Sequence, residues 1–338
     1  MHQPPRLIVI GTSAGGMPAL GRLVAQLPAS LEAAVLVVQH LAPDSLGQIL
    51  VDRLAKQTEL VCHLGAHGQH LHAGHLYLAP ADRHMLVKDG HVFITKGPRE
   101  NHYRPAVDAL FRSAAAVYGA RTIGVVLTGM LHDGTAGLEF IKRAGGITVV
   151  QDPQEAEFSS MPESALSNVQ IDHVVPLSSM GPLLQQLTQA PAPQQVAIPP
   201  DILLEAQIAE RVVGSTDDVE KLGRQVPLTC PDCGGSLWEM QHGEVLRYRC
   251  HTGHAFTADS LMRVTQESLE ESMWVAVRML EERKNLLASM SRRNEGFSSK
   301  QQEERIEELK VHINRLRQFL LNGAAGRPAE HGDMQVSS

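Results

Sequence analysis

The sequence predicts an α/β fold: a three-layer sandwich around a largely parallel sheet, then a small zinc-ribbon-like module and a helical hairpin. Three observations predict it. In the first half of the chain, short apolar runs of the buried-strand kind alternate with stretches of helical spacing. Three cysteines and three histidines crowd into residues 230–254. Two long stretches follow with apolar residues three and four apart.

Residues 6–11 read as a buried strand, and Gly11-Thr12-Ser13-Ala14-Gly15-Gly16 as a Gly-rich turn. Leu20, Leu23, Val24 and Leu27 then recur at helical spacing, with Pro28 as the stop. Residues 34–39 are the next strand. Strand, turn, helix and strand in that order imply a parallel pair with a right-handed crossover. Residues 105–117 give a helix with Val107, Leu110, Phe111 and Ala114 on one stripe. A strand over 121–127 ends at Thr128-Gly129. Leu138, Ile141 and Ala144 mark a helix closed by Gly145-Gly146, and 147–151 is a strand again. Residues 62–96 are less regular. Leu76-Tyr77-Leu78 and Val92-Phe93-Ile94-Thr95 read as strands, with Lys88-Asp89-Gly90 as a hairpin turn. On that ground the sheet is expected to be mixed.

A length of 338 residues suggests about two domains. The first is expected over 1–188. Residues 189–200, rich in Pro, Ala and Gln, read as an extended linker. Residues 201–258 hold a helix to about 213, carrying Ile202, Leu204, Ile208 and Val212, and then the Cys/His module. Residues 259–322 read as two helices, the second with a heptad seam of Ile306, Leu309, Ile313, Leu316 and Leu320. Asn294-Glu295-Gly296 permits the turn between them. The polar tail 323–338 is expected to be disordered.

Composition excludes some functions. A net charge of −7 argues against a dedicated nucleic-acid binder, which needs a basic face for phosphates. No apolar run approaches the ~20 residues that span a bilayer. The first residues lack the pattern of a signal peptide, so the expected compartment is the cytoplasm. In that reducing compartment the grouped cysteines read as metal ligands before disulfides. Cys62, alone between Val61 and His63, reads as a packed small hydrophobe.

Gly11-Thr12-Ser13-Ala14-Gly15 fits G-x-S-x-G with a strand before and a helix after. The turn would expose the Ser13 hydroxyl beside the N–H groups of a helix start, which favour developing negative charge. A phosphate-cradling loop is the alternative, but Ser13 stands where G-x-G-x-x-G needs glycine. A serine nucleophile needs a base and a group to orient that base. His40 follows the next strand, in Val37-Val38-Gln39-His40-Leu41, and Asp133 follows another, in Gly129-Met130-Leu131-His132-Asp133-Gly134. Strand ends of this kind line the crevice where α/β sites form. Among 17 histidines, His132 is the main rival near the site. His63, His67, His70, His72 and His75 read as exposed turn sequence before they read as a metal site.

Residues 7–187 closely resemble the catalytic domain of CheB-type chemotaxis protein-glutamate methylesterases. The stretches that carry the resemblance are IVIGTSAGG, VVQHL, GHLYLAPADRHM, YRPAVDALFRSAA, GVVLTGMLHDGTAGL, AGGITVVQDP and MPESAL, in that order. The resemblance puts the nucleophile, base and acid on Ser13, His40 and Asp133. It implies that the backbone N–H of Met130 helps form the oxyanion hole. It also implies hydrolysis of glutamyl methyl esters on a methylated chemoreceptor or related sensory protein, without a catalytic cofactor, and in some members deamidation of glutamines. Three departures stand out. Ala14 follows the nucleophile where Thr is common. Leu131 replaces a glycine of the acid loop, which would cost on the order of 1–2 kcal/mol if φ there is positive. The family's N-terminal phospho-acceptor receiver is not expected, so phosphorylation in cis would not regulate the chain. Leu131 and the added C-terminal half motivate a second reading, a weakly active or inactive regulatory adaptor.

The C-terminal half offers Cys230-Pro231-Asp232-Cys233 and Cys250-His251-Thr252-Gly253-His254. Tetrahedral zinc takes four N or S ligands, and Cys230, Cys233, Cys250 and His254 supply them; a metal-free module is the alternative. His251 adjoins Cys250 and suits the same chelate less well. A full ligand set leaves no open position, so the zinc would be structural. The following helices are expected to pack as a hairpin, to form a homodimer seam or to bind a partner helix, with no membrane insertion and no nucleic acid.

Overall fold

The structure, a computed structural model, describes residues 5–191, 196–211, 215–292 and 299–323. Its first part alternates β1 (Arg6–Thr12), α1 (Gly16–Val24), β2 (Ala33–Gln39), α2 (Gly47–Ala55), β3 (Val61–Leu64) and β4 (His75–Leu78). The hairpin β5 (His84–Lys88) and β6 (His91–Thr95) follows. Then come α3 (Val107–Tyr118), β7 (Thr122–Val126), α4 (Thr135–Arg143), β8 (Ile147–Gln151), α5 (Ser160–Asn168), β9 (His173–Val175) and α6 (Leu177–Gln189).

Seven strands form one sheet in the order β3-β4-β2-β1-β7-β8-β9. Along β1 the side chains alternate. Leu7 and Val9 enter one apolar cluster with Leu110, Phe111 and Leu138, whereas Ile8 and Ile10 enter another with Leu20, Leu23 and Leu184. Both faces are covered, so the central strands are apolar throughout and not alternating in polarity. The chain builds outward from β1 toward β3 and then returns to build from β7 toward β9. The switch in direction lies at β1 and β7, the place in an open α/β sheet where ligand sites form at the strand ends.

The expected mixing of strand directions is not found: every pair in the seven-stranded sheet is parallel. The antiparallel pair, β5 with β6, is a separate sheet. Its connection, Asp89-Gly90, has φ of 48° and 76°, and so tight a turn can only send the chain back antiparallel. Helix α2 and strand β3 were not read from the sequence.

The C-terminal half begins with α7 (Pro200–Arg211) and α8 (Thr216–Glu220). The antiparallel strands β10 (Gly223–Thr229), β11 (Ser236–Met240), β12 (Arg247–Cys250) and β13 (Ala255–Thr257) follow. Ile202, Leu204 and Ile208 lie on the covered side of α7, while Val212 lies outside the described residues. Helices α9 (Ala258–Arg292) and α10 (Ser299–Gly323) complete the order. The chain divides into two compact units, Met1–Met262 and Arg263–Ser338. In the first, the Cys/His segment joins the sandwich through buried charges: Glu100 and Arg112 meet Glu205, Arg247 and Arg249. In the second, Ile313 is buried, Ile306, Leu309, Leu316 and Leu320 are half-buried, and Arg317 of α10 pairs with Glu281 of α9 at 3.0 Å. The expected hinge at 294–296 and the tail from 324 lie outside the described residues.

Candidate active site

Ser13 follows β1 directly. Its N–H donates to the Thr128 carbonyl beyond β7 at 3.2 Å, and the Gly16 N–H donates to the Ser13 carbonyl at 2.9 Å, closing the turn. Gly15 sits at φ 70°, which an L side chain rarely adopts. Gly129 is needed for a different reason. A Cβ there would lie 2.1 Å from the Met161 sulfur and 3.0 Å from the Ser13 Cβ, so only glycine lets the β7 loop approach Ser13. Gln39 closes the other side by donating to the carbonyls of Ser13 and His40.

The three predicted side chains meet. His40 Nδ1 lies 3.1 Å from Ser13 Oγ, and His40 Nε2 lies 2.8 Å from Asp133 Oδ2. They come from the ends of β1, β2 and β7, three consecutive strands of the sheet. The carboxylate accepts, so Nε2 carries the proton and Nδ1 is left to accept from the serine hydroxyl. The arrangement suits a general base and its orienter, with the two ring nitrogens exchanged relative to the serine-protease template. Ser13 is half-buried, and the His40 side chain is only 7% exposed.

Four donors converge on Asp133. Besides His40, the Val107 N–H reaches Oδ2 at 2.6 Å, the Asp108 N–H reaches Oδ1 at 3.2 Å, and Asn101 Nδ2 reaches Oδ1 at 3.1 Å. The same Asn101 nitrogen donates to Asp108 Oδ2 at 2.6 Å. Asp108 in turn accepts the N–H groups of Gly134 and Gly137 and so fastens the start of α4. Burial, and next the Asp133 carboxylate, push the Asp108 carboxyl well above the usual range. The Tyr103 ring stacks on the His40 ring with centroids 3.7 Å apart and planes at 10°. Asn101, Tyr103, Val107 and Asp108 all belong to residues 100–108, and none was read from the sequence as part of the site. Tyr103, Val107 and Asp108 fall in the stretch YRPAVDALFRSAA that carries the family resemblance, which was the signal available, whereas Asn101 lies just outside it and outside any strand or helix periodicity.

The acid loop holds its shape with leucine in place. Leu131 sits at φ 71°, the left-handed region where a side chain is strained. Its N–H is held by Ser160 Oγ at 3.1 Å, and the Gly129 N–H by the Phe158 carbonyl at 3.0 Å. Between them, the Met130 N–H has no acceptor among the described residues. His132 Nδ1 lies 3.2 Å from Ser164 Oγ. The histidine-rich stretch is not all turn: His63 and His75 stand on the neighbouring strands β3 and β4, where His75 is opposite Val61 and His63 opposite Tyr77, so the two rings are diagonal neighbours on one face and meet at 2.9 Å through their ring nitrogens. Cys62, on β3, is half-buried against the apolar cluster of its face.

Cys230, Cys233, Cys250 and His254 come together, with one ligand atom of each within 4.8 Å of the others. Cys233 Sγ to Cys250 Sγ is 3.8 Å and Cys250 Sγ to His254 Nδ1 is 3.6 Å. Zinc–sulfur bonds of about 2.3 Å in a tetrahedron set vertices roughly 3.8 Å apart, so the four residues fit a zinc ion. Gly234 and Gly253, at φ 74° and 111°, close the two tight turns that present the ligands. Asp232 lies 3.8 Å from His254 Nε2, on the ring nitrogen that faces away from the cluster, as carboxylates do behind metal-bound histidine. His251 stays out of the group and meets the edge of Trp238.

Comparison with known proteins adds to this geometry. A sequence model of the family described as CheB methylesterase matches residues 8–184. The protein-glutamate methylesterase/protein-glutamine glutaminase 2 of Anaeromyxobacter dehalogenans is 38% identical over 183 residues, 54% of this chain and 53% of that protein. The protein-glutamate methylesterase/protein-glutamine glutaminase of Photorhabdus laumondii is 38% identical over 179 residues, 52% of this chain and 51% of its own. The chain therefore spans about half the length of these two relatives. The crystal structure of the Thermotoga maritima CheB methylesterase catalytic domain matches with a TM-score of 0.52 at 34% identity, over 54% of this chain and 98% of that one.

Proposed function

The chain belongs to the CheB methylesterase family, and from that premise we propose that it hydrolyses glutamyl methyl esters on a chemoreceptor-type protein to glutamate and methanol. The observation that carries the proposal is His40 held between Ser13 Oγ and Asp133 Oδ2. Ser13 Oγ attacks the ester carbonyl as its proton passes to His40 Nδ1. The oxyanion of the tetrahedral intermediate takes the Met130 N–H as a donor. His40 returns the proton to the departing methoxide, and methanol leaves an acyl-enzyme on Ser13. Water, deprotonated by His40, then attacks the acyl carbon, and glutamate and the free serine result. Asp133 holds the ring and balances the imidazolium charge. The same steps on a glutamine side chain would release ammonia, the second activity in the relatives' names.

Two further readings belong to the proposal. The cluster of Cys230, Cys233, Cys250 and His254 holds a structural zinc, which fixes the two turns and takes no part in ester cleavage. The protein works in the cytoplasm; among the described residues no helix is long and apolar enough to cross a membrane. The test is methanol release from a methylated receptor fragment, wild type beside Ser13→Ala. Release by the wild type alone is expected; equal release by a folded Ser13→Ala protein refutes the assignment.

A further inference from the structure

The C-terminal segment reaches the triad through one side chain. Asn101 is 4% exposed, and its backbone N–H and both polar atoms of its side chain have partners. Its backbone N–H donates to the Ala255 carbonyl of β13 at 2.7 Å, and its Oδ1 accepts the Thr257 N–H at 2.9 Å. Nδ2 donates to Asp108 and to Asp133. A backbone N–H can only donate, so the Thr257 N–H forces the amide oxygen toward β13 and turns both amide hydrogens toward the carboxylates. Without β13 the amide could turn over and aim its oxygen at Asp133. The neighbouring residue Glu100 bridges to Ala255 and ion-pairs with Arg112 and, at 3.6 Å, with Arg249, so this stretch of chain is fixed to the same segment. Asn101 also holds φ 50°, a conformation that asparagine tolerates better than most residues.

We infer that Asn101 is a positioning residue for the catalytic acid and that β13 sets its orientation, so the C-terminal Cys/His segment completes the esterase site. The inference rests on the esterase reading of Ser13. Asn101 touches no reacting atom; it acts on the direction of Asp133, and through Asp133 on the His40 ring.

The experiment uses the full chain and two readouts: the labelling rate of Ser13 by a fluorophosphonate probe, which needs no receptor, and kcat and KM on a small chromogenic ester. Asn101→Gly removes the amide at a φ that glycine adopts freely, and Asn101→Asp keeps its shape but loses both donors. Both are expected to slow labelling on the order of 10²-fold and to lower kcat with KM unchanged. Thr257→Pro deletes the orienting N–H, which points away from β12 on an edge strand where proline is tolerated. Thr257→Ala is its control, because it loses only the hydroxyl that accepts from the Ser260 N–H. Thr257→Pro is expected to label about tenfold more slowly than Thr257→Ala. The Thr257 N–H, protected from hydrogen exchange in the wild type, should lose protection in Asn101→Gly, which tests the link even if the proline variant does not fold. Folded Asn101 variants that label at the wild-type rate overturn the inference, as does a Thr257 N–H unprotected in the wild type. Failure of wild-type Ser13 to label at all would instead overturn the esterase reading.

Discussion

Glu205 is a stringent point at which to perturb the first unit. Its carboxylate is 1% exposed and meets three guanidiniums: Arg247 at 3.0 Å, Arg249 at 3.5 Å and Arg112 at 3.9 Å. Glu100 is the other carboxylate of the cluster, so two acids face three cations. Glu205→Gln keeps the volume and removes one charge, and Arg247 then lacks its ion-pair partner. Breaking one side of a buried pair costs about 3–5 kcal/mol. For a unit of this size each kcal/mol moves the melting midpoint by roughly 2–4 °C, so Tm should fall by roughly 6–20 °C at neutral pH. Thermal unfolding followed by circular dichroism measures it. The pH dependence separates charge from packing. Burial alone would raise the Glu100 carboxyl, but Arg112 and Arg249 outweigh it and hold it down at about 2, and Arg247 and Arg249 likewise lower Glu205 against its burial. A depressed carboxyl contributes stability above its unfolded value of about 4.3 and loses it as pH falls toward the folded one. The wild type should therefore weaken below about pH 4.5, and the gap to Glu205→Gln should narrow toward pH 2. A Tm shift under about 2 °C at pH 7, or a gap that does not change with pH, would refute the reasoning.

Two other outcomes follow from the structure. Leu131→Gly relieves a left-handed φ worth on the order of 1–2 kcal/mol, but loses about 1 kcal/mol of half-buried side chain and adds backbone freedom to the unfolded chain. Stability within about 1 kcal/mol of wild type and an undiminished esterase rate are expected; a rate loss near 10²-fold would show that the leucine side chain itself serves the reaction. Freshly purified protein should carry about one zinc per chain by elemental analysis, and Cys250→Ser should reduce it; metal-free wild type would rule out the zinc site.

The grouping of Ser13, His40 and Asp133 was legible in the sequence because each member is marked locally. Ser13 lies in a glycine-rich turn after an apolar strand, and His40 and Asp133 follow strands whose apolar runs are unmistakable. The meeting of Cys230, Cys233, Cys250 and His254 was legible for the same reason, since the spacing within each Cys/His pair is itself the geometry of a chelating turn. Sequence alone also determined the covered face of α10, because heptad spacing is a property of one helix and needs no partner to be read.

What only the tertiary structure decided depends on residues far apart in the chain. Asn101 and Thr257 are remote in sequence, yet one hydrogen bond between them orients an amide against Asp133. Nothing in either neighbourhood announces it. Nothing in the sequence marks Glu100, Arg112, Glu205, Arg247 and Arg249 as buried, because burial of a charge makes sense only once its counter-charge is delivered by another element. The choice of ring nitrogen at His40 likewise depends on how β2 sits between its neighbours. Local periodicity reports which face of an element is covered; it carries no record of what covers it, and at this site the covering segment holds the acid in place.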